Sequence, residues 1–411
     1  MSKRFRFLPV SLGVLVEHYD TSLYGFMSPL LIELFFPNVD PINGIMLILS
    51  GYGISLLGKP IGAVVLGMIG DKYGRKRALV TSILGMGIVT IFMGLLPTYA
   101  QVGGLAPVLL ILSRLLQAFF VAGEYNGGAI FIVEHNKKDN GLMSGIYCSF
   151  TAIGILLASI ATTLVIEYKE EANLWRVPYF IGAITALIGL YFRLSATETP
   201  EFIKSHGKTF NEHFCNLSNE SAKQLVTIIV LATFISVLYM VPTIMVNSFI
   251  TIVTNITVPE IMKINSLVLV LYAIMLPFMG MLTDKLGTDR LLYYSLLAGV
   301  FVTVPTFTLL TSGDIWSIFA FKLIMITICA AFITAFHPWS VKQFPVNRRY
   351  TNISFGYSIG SQIGAYAPTL SLSLYKQTGI IYTHGFLIMV SALLGLYCIT
   401  KFNNAYMEKI A

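Results

Sequence analysis

The sequence predicts an all-α integral membrane protein with twelve transmembrane helices in two six-helix bundles. Two observations support this fold class. Of the 411 residues, 55% are hydrophobic and only 11% are charged, whereas a soluble domain carries about 25% charged residues. In addition, a glycine-containing basic turn occurs twice, first from Gly67 to Arg77 and in weaker form from Gly280 to Arg290. The repeat indicates two similar membrane halves.

Each predicted span is an apolar run of about 20 residues, the length that a helix needs to cross the hydrocarbon core. Backbone polar groups must be satisfied within lipid, so these runs are predicted to be helices. The first six are Leu8–Ile32, Gly44–Gly67, Ala78–Leu96, Val108–Val133, Leu142–Ile166 and Val177–Ser195. The second six are Gln224–Val246, Ile264–Leu282, Leu291–Leu310, Ile315–Phe336, Ile353–Leu374 and Tyr382–Ile399. We therefore expect an N-terminal bundle at 1–200, a cytoplasmic linker at 201–223 and a C-terminal bundle at 224–411.

The net charge of +7 does not indicate a nucleic-acid partner, because the basic residues fall in loops on one side of the predicted membrane. Twenty of the 27 lysines and arginines lie on that side, Arg193 among them, and four on the other. The remaining three, Lys59, Arg114 and Lys322, fall within spans. Basic loops stay in the cytoplasm, so we expect a multi-pass protein in the lipid bilayer of the cell (inner) membrane, with both termini cytoplasmic.

The turn between the second and third spans, Gly67-Met-Ile-Gly-Asp71-Lys-Tyr-Gly74-Arg75, resembles the signature loop of the major facilitator superfamily. Within it, the chain resembles the metabolite:proton symporters, a family that includes proline/betaine, α-ketoglutarate, citrate and shikimate carriers. Further motifs that carry the resemblance are Glu17-His18-Tyr19-Asp20, Arg114-Leu-Leu-Gln117, Gly123-Glu124-Tyr125 and Glu198-Thr-Pro200-Glu201-Phe202. The chain departs from the family pattern at His18, Ala118 and Lys342, where the family usually has Trp, Gly and an acidic residue.

The resemblance implies a secondary transporter that couples protons to a small zwitterionic metabolite similar to proline or glycine betaine. One alternative is a carrier of dicarboxylates or tricarboxylates similar to α-ketoglutarate or citrate. An alternative of another class is a non-transporting membrane receptor or sensor. The sequence contains no nucleotide loop, metal cluster or nucleophile–base pair, so we expect no enzymatic activity, no cofactor and no metal. The expected partners are the substrate and protons, and we expect a monomer.

Ionisable side chains inside a span cost about 2.5–3.5 kcal/mol each on insertion scales, so they usually face the bundle interior and have a function. Glu17 and Asp20 lie about 60° apart on one face of the first predicted helix. Together with Glu124 they are candidate proton-coupling groups. The alternative for each is a structural ion pair with a basic group on a neighbouring helix.

Arg114 is the candidate anchor for a substrate carboxylate, because a guanidinium fork can bind a carboxylate with two hydrogen bonds. The alternative is a salt bridge from Arg114 to Glu17 or Asp20. Lys322 is a candidate second anchor for an anionic group, or a partner of a carboxylate in the first half. Three tyrosines near these charges are candidates for cation–π contact with a quaternary ammonium group, namely Tyr19, Tyr24 and Tyr125.

The basic turn is predicted to act as a gate rather than a binding site. Gly74 permits the tight bend, Asp71 is expected at a helix N-terminus of the other half, and Arg75 is expected to pair with Glu134. Such contacts would hold the cytoplasmic side closed and break when it opens. The alternative is that the basic residues only fix topology. The complete set of candidate gating residues is Gly67, Asp71, Gly74, Arg75, Glu134 and Asp284.

Overall fold

The computed structural model describes residues 8–37, 58–168, 173–205 and 219–402, and every regular element in these ranges is a helix. The chain divides into two compact units. The first comprises Met1–His135, Phe150–Lys208 and Val346–Phe355, and the second comprises Asn136–Ser149, Thr209–Pro345 and Gly356–Ala411. The predicted boundaries at residues 200 and 224 stay a prediction, and residues 206–218 of the predicted linker lie outside the described ranges.

Long apolar helices form most of the first unit, in which α4 packs on α6 and α8 while α1 packs on the same two helices. Their apolar composition and length fit the span predictions, with ends that differ by a few residues. The bounds are α1 (Leu8–Phe26), α2 (Ser28–Phe35), α3 (58–72), α4 (Arg75–Leu95), α5 (Tyr99–Val102), α6 (Leu105–His135), α7 (Asn140–Glu167), α8 (Val177–Leu194) and α9 (Pro200–Ser205). Residues 150–167 of α7 belong to this unit.

The second unit is also helical, with α10 packed on α18 and with α12 and α13 packed on α15. The bounds are α10 (Asn219–Met240), α11 (Val246–Val253), α12 (Val258–Leu286), α13 (Thr288–Phe301), α14 (Thr303–Thr306), α15 (Ile315–Val341), α16 (Arg349–Ala365), α17 (Ala367–Thr378) and α18 (Thr383–Phe402). A π-helical segment, Val241–Met245, joins α10 to α11 and contains Pro242. Proline removes a backbone donor, which interrupts the regular α-helical pattern here.

Eight of the described helices are long and apolar enough to cross a membrane, and the bent pair Thr288–Phe301 and Thr303–Ser312 makes a ninth. Of the other three predicted spans, Leu8–Ile32 covers α1 and most of α2, and Ile353–Leu374 covers parts of α16 and α17. The third, Gly44–Gly67, overlaps α3, and its residues 44–57 lie outside the described ranges.

The outer faces of these helices carry apolar side chains. Along α4, Leu84, Ile88 and Leu95 are 45%, 60% and 62% exposed. Helical spacing places these positions on one face. An apolar face exposed in this way fits lipid contact rather than water.

Candidate functional site

Asp20 is a buried carboxylate with one oxygen that is unused among the described contacts. It lies on α1 and is 1% exposed. Thr90 of α4 donates its hydroxyl to Asp20 Oδ2 over 2.6 Å, while Oδ1 is buried and has no hydrogen-bond partner in the described part of the chain. Gly182 of α8 leaves the space for Oδ1, because any side chain there would meet that oxygen. Asp20 can therefore accept a proton at Oδ1, or accept a hydrogen bond there from a donor group of a ligand.

Arg114 and Tyr24 form a stacked pair on α6 and α1. The guanidinium carbon of Arg114 lies 4.0 Å from the centre of the Tyr24 ring, and Nη1 donates to the amide oxygen of Gln117. Both side chains are buried. The guanidinium of Arg114 therefore covers one face of the Tyr24 ring.

The other two candidate tyrosines each make a contact of their own. Tyr19 is buried and donates its hydroxyl to the carbonyl of Pro178 over 3.0 Å, which ties α1 to the start of α8. The Tyr125 ring lies 5.6 Å from the imidazole of His18. The role of the three tyrosines in binding stays a prediction.

Glu124 has a basic partner that the sequence reasoning missed. Arg193 of α8 donates to both carboxylate oxygens of Glu124, with Nη1 to Oε2 at 2.6 Å, and also to the carbonyl of Leu79. Both side chains are almost completely buried. The assignment of Arg193 to the loop charges is therefore wrong, because its side chain turns back into the helix bundle. The sequence did contain a signal, because Arg193 falls within the predicted span Val177–Ser195, which forms α8.

Glu17 lies beside His18 near the middle of α1. Its Oε2 is 3.9 Å from Nδ1 of His18, and that nitrogen is 3.0 Å from the carbonyl of Val14. Glu17 is 5% exposed, and its Oε2 has no hydrogen-bond partner among the described residues. Glu17 thus resembles Asp20 in having a buried carboxylate oxygen without a described hydrogen bond. Its role in proton coupling stays a prediction.

Lys322 lies in the second unit and is fully buried in α15. Its ammonium donates to the Pro242 carbonyl at 2.9 Å, to Asn247 Oδ1 at 2.6 Å and to Asn265 Oδ1 at 3.2 Å. An ammonium group has three donors, so these three oxygens account for all of them. In this arrangement Lys322 has no donor left for a substrate anion.

The signature turn of the first unit is built around Asp71. Its two oxygens accept the backbone N–H groups of Tyr350 and Thr351 at 3.0 and 2.9 Å, and the Thr351 hydroxyl at 2.7 Å. These groups form the start of α16, where backbone donors have no partner within the helix. The prediction that Asp71 lies at a helix N-terminus is confirmed.

Arg75 and Glu134 pair as predicted, through two N–H···O bonds of 3.3 Å each. Arg75 also donates to Asp71 at 3.0 Å, and Glu134 also accepts from Arg349 at 2.7 Å. Arg349 in turn contacts Glu201 at 2.5 Å. Five charges of alternating sign therefore connect the ends of α3 and α6 with the starts of α4, α9 and α16.

Two glycines fit this turn through their lack of a side chain. Gly74 has a φ of 108°, and a side chain there would meet the carboxylate of Glu198. A side chain at Gly67 would meet the backbone of Thr351. Gly67 thus permits a close backbone approach, while Gly74 permits a backbone conformation that other residues rarely adopt.

The second copy of the turn repeats the helix cap but not the ion pair. Asp284 accepts the N–H groups of Gly141 and Leu142, both at 2.8 Å, at the start of α7. Thr288 follows the turn where Arg75 stands in the first copy, and it accepts from Lys342 at 3.1 Å. The gating role of both copies stays a prediction.

Comparisons with known proteins agree with this architecture. Residues 7–213 match the family described as sugar (and other) transporter. The chain is 30% identical over 409 residues to the glycine betaine/proline/ectoine/pipecolic acid transporter OusA of Dickeya dadantii, covering 94% of this chain and 80% of the relative. Identity and coverage are the same for the proline/betaine transporter of Escherichia coli K12.

A solved structure of the proton:xylose symporter XylE, a major facilitator superfamily protein, has a TM-score of 0.71 to this chain at 15% identity. The match covers 100% of this chain and 96% of XylE. The predicted fold, twelve transmembrane helices in two bundles, is thereby confirmed. The family match and the 30% identity along most of the chain, together with this fold, show that the protein belongs to the metabolite:proton symporter family of the major facilitator superfamily. This is a family of transporters and not of enzymes.

Proposed function

We propose that this protein is a proton-coupled symporter of a small zwitterionic metabolite similar to proline or glycine betaine, and that it works by alternating access. The observation that carries the proposal is a set of three buried side chains, Asp20, Arg114 and Tyr24, of which Asp20 lies about one helical turn before Tyr24 on α1. It offers an acid with an idle oxygen, a guanidinium and an aromatic ring on α1 and α6. The names of the relatives from Dickeya dadantii and Escherichia coli support the same substrate class.

The two ends of a zwitterion suit these groups. A carboxylate accepts paired hydrogen bonds from a guanidinium such as that of Arg114. A quaternary ammonium group is attracted to an aromatic face, and Tyr24 supplies an aromatic ring beside the guanidinium of Arg114. Asp20 supplies a carboxylate that can gain or lose a proton during the cycle.

The dicarboxylate alternative is less well supported. A second anion needs a second cationic anchor, and Lys322 was the candidate. Its three donors are engaged by protein oxygens. A carrier of dicarboxylates would have to break at least one of these bonds to bind its substrate.

We place the protein in the cell (inner) membrane as a monomer with both termini cytoplasmic. The distribution of lysine and arginine supports this orientation. The signature turn would then lie on the cytoplasmic side. There the network that includes Asp71, Arg75 and Glu134 would hold one state of the transport cycle closed.

Uptake by proteoliposomes tests the proposal. Vesicles that contain the purified protein would be given labelled proline, glycine betaine, α-ketoglutarate or citrate, with and without an inward proton gradient. We expect gradient-dependent accumulation of proline or glycine betaine above that of protein-free vesicles. Accumulation of only α-ketoglutarate or citrate would favour the anion carrier, and no accumulation of any substrate under a gradient would contradict proton-coupled transport of this class.

A further inference from the structure

The buried ammonium group of Lys322 is held by oxygens from three different elements. Pro242 belongs to the π-helical segment, Asn247 to α11 and Asn265 to α12, while Lys322 itself lies on α15. The distances from Nζ are 2.9, 2.6 and 3.2 Å. One side chain therefore ties the interrupted span to two neighbouring helices.

The three acceptors are all neutral, which is unusual for a buried cation. Burial of an ammonium group is costly, and such a group is generally paired with a carboxylate. Here the acceptors are one backbone carbonyl and two side-chain amides. The side-chain nitrogen of Asn247 donates to the carbonyl of Thr243 at 2.6 Å. That bond turns the amide oxygen of Asn247 toward Nζ.

Neutral oxygens that converge on one point are the ligand set of a small monovalent cation. Carbonyl oxygens replace the hydration shell of K⁺ in channels. Carbonyls at interrupted membrane helices bind coupling ions in transporters. The π-helical segment at Pro242 is such an interruption, and π-bulges are frequent at functional sites.

We propose that the oxygens of Pro242, Asn247 and Asn265 form a monovalent-cation site that Lys322 occupies with its own ammonium group. The tethered ammonium takes the place that a free ion would hold, and it keeps the interrupted span attached to α12 and α15. Truncation of the lysine side chain leaves the three oxygens facing a space that a small cation can enter. This inference concerns an ion site and does not depend on the identity of the transported substrate.

Thermal unfolding of the purified full-length protein tests the site. Lys322→Ala removes the ammonium and opens the space, while Lys322→Met removes the charge but fills the space with an apolar chain of similar length. Melting temperatures would be measured in ammonium, sodium, potassium and N-methylglucamine chloride at matched ionic strength. An ion that binds only the folded state raises the melting temperature.

We expect at least one of the three small cations to raise the melting temperature of Lys322→Ala in a saturable manner, compared with N-methylglucamine. The wild type and Lys322→Met should show no such difference. If Lys322→Ala melts at the same temperature in all four salts, the proposed cation site is ruled out.

Two further variants, Asn265→Leu and the double variant with Lys322→Met, test the site without shortening the side chain at position 322. Asn265→Leu removes one acceptor while the ammonium stays buried, so its melting temperature should fall. Addition of Lys322→Met removes the ammonium group that had lost this acceptor. The melting temperature of the double variant should therefore be higher than that of Asn265→Leu. A double variant that melts below both single variants, or an Asn265→Leu protein that melts like the wild type, would overturn the inference.

Discussion

Asp20 and Glu124 are both buried carboxylates, but their surroundings give them different chemistry. Asp20 has a neutral hydroxyl partner and one idle oxygen. Glu124 is held at both oxygens by the guanidinium of Arg193. A carboxylate with a neutral partner can be protonated without leaving a buried cation behind. Asp20 is therefore the better candidate for the proton that drives transport.

Asp20→Asn should abolish accumulation driven by a proton gradient while exchange of labelled for unlabelled substrate continues. Asparagine has nearly the same shape and can still accept from Thr90, but it cannot carry a proton at neutral pH. Both activities would be measured in the same proteoliposomes. Thr90→Val is the matched control, since it removes the hydrogen bond and keeps the acid. Wild-type accumulation by Asp20→Asn would place proton coupling elsewhere.

Glu124→Gln should lower the thermal stability of the protein, because it leaves the buried guanidinium of Arg193 without its charged partner. Loss of one partner from a buried ion pair typically costs about 3–5 kcal/mol. Arg193→Met in the same protein removes the orphaned charge and should recover part of the loss. The melting temperatures of the two single variants and the double variant measure this. A Glu124→Gln protein as stable as the wild type would show that the pair is dispensable for folding.

Arg114→Lys should weaken substrate binding about tenfold, which corresponds to about 1.4 kcal/mol. Lysine keeps the charge but loses the planar fork and the stacking on Tyr24. Dissociation constants for proline and glycine betaine would be measured by calorimetry. Arg176→Lys is the control, because Arg176 binds the carbonyls of Gly94 and Leu96 outside this group. Normal affinity in Arg114→Lys would leave Arg114 with a structural role.

The sequence allowed only part of this chemistry to be predicted. Asp20, Glu124, Arg114 and Lys322 were identified because a charge inside an apolar run is conspicuous. Their partners were not identified, because contacts such as Arg193 with Glu124 join helices far apart in the chain. Spacing along one helix does not reveal which face a distant helix covers.

The basic turn is the element whose contacts were predicted best from the sequence. Asp71 was expected at a helix N-terminus and Arg75 was expected to pair with Glu134, and both contacts are present. The extension through Arg349 to Glu201 was not predicted. The two copies of the turn also differ in their described contacts. Asp284 caps α7, whereas Asp71 caps α16 and also binds a buried arginine.

Arg75→Ala should slow transport with little change in substrate affinity. It removes the centre of the charge network, so that of the two described ion pairs of Glu134 the one with Arg349 remains. Asp284→Asn is the matched change in the second copy and should have the smaller effect, because an exposed cap contributes about 0.5–2 kcal/mol. Turnover and dissociation constants would be measured for both variants. A large loss of affinity at normal turnover would instead indicate that the turn binds substrate.

At the scale of the whole molecule, hydropathy and the repeated turn were sufficient to predict the fold. Each of the twelve predicted spans overlaps at least one described helix, and two of them cover two helices each, since Leu8–Ile32 covers α1 and most of α2 and Ile353–Leu374 covers parts of α16 and α17. The composition of the two compact units was not predictable in the same way. Asn136–Ser149 belongs to the second unit and Val346–Phe355 to the first. These assignments depend on contacts between distant residues such as Asp71 and Thr351, which hydropathy does not report.

Substrate-induced proton movement tests the central claim, proton-coupled symport, most directly. A pH-sensitive dye would be trapped in proteoliposomes that start at equal pH inside and outside, and proline or glycine betaine would then be added outside. We expect acidification of the lumen that follows substrate entry with the wild type and is absent with Asp20→Asn. Entry of labelled substrate into wild-type vesicles with no acidification would contradict proton-coupled symport.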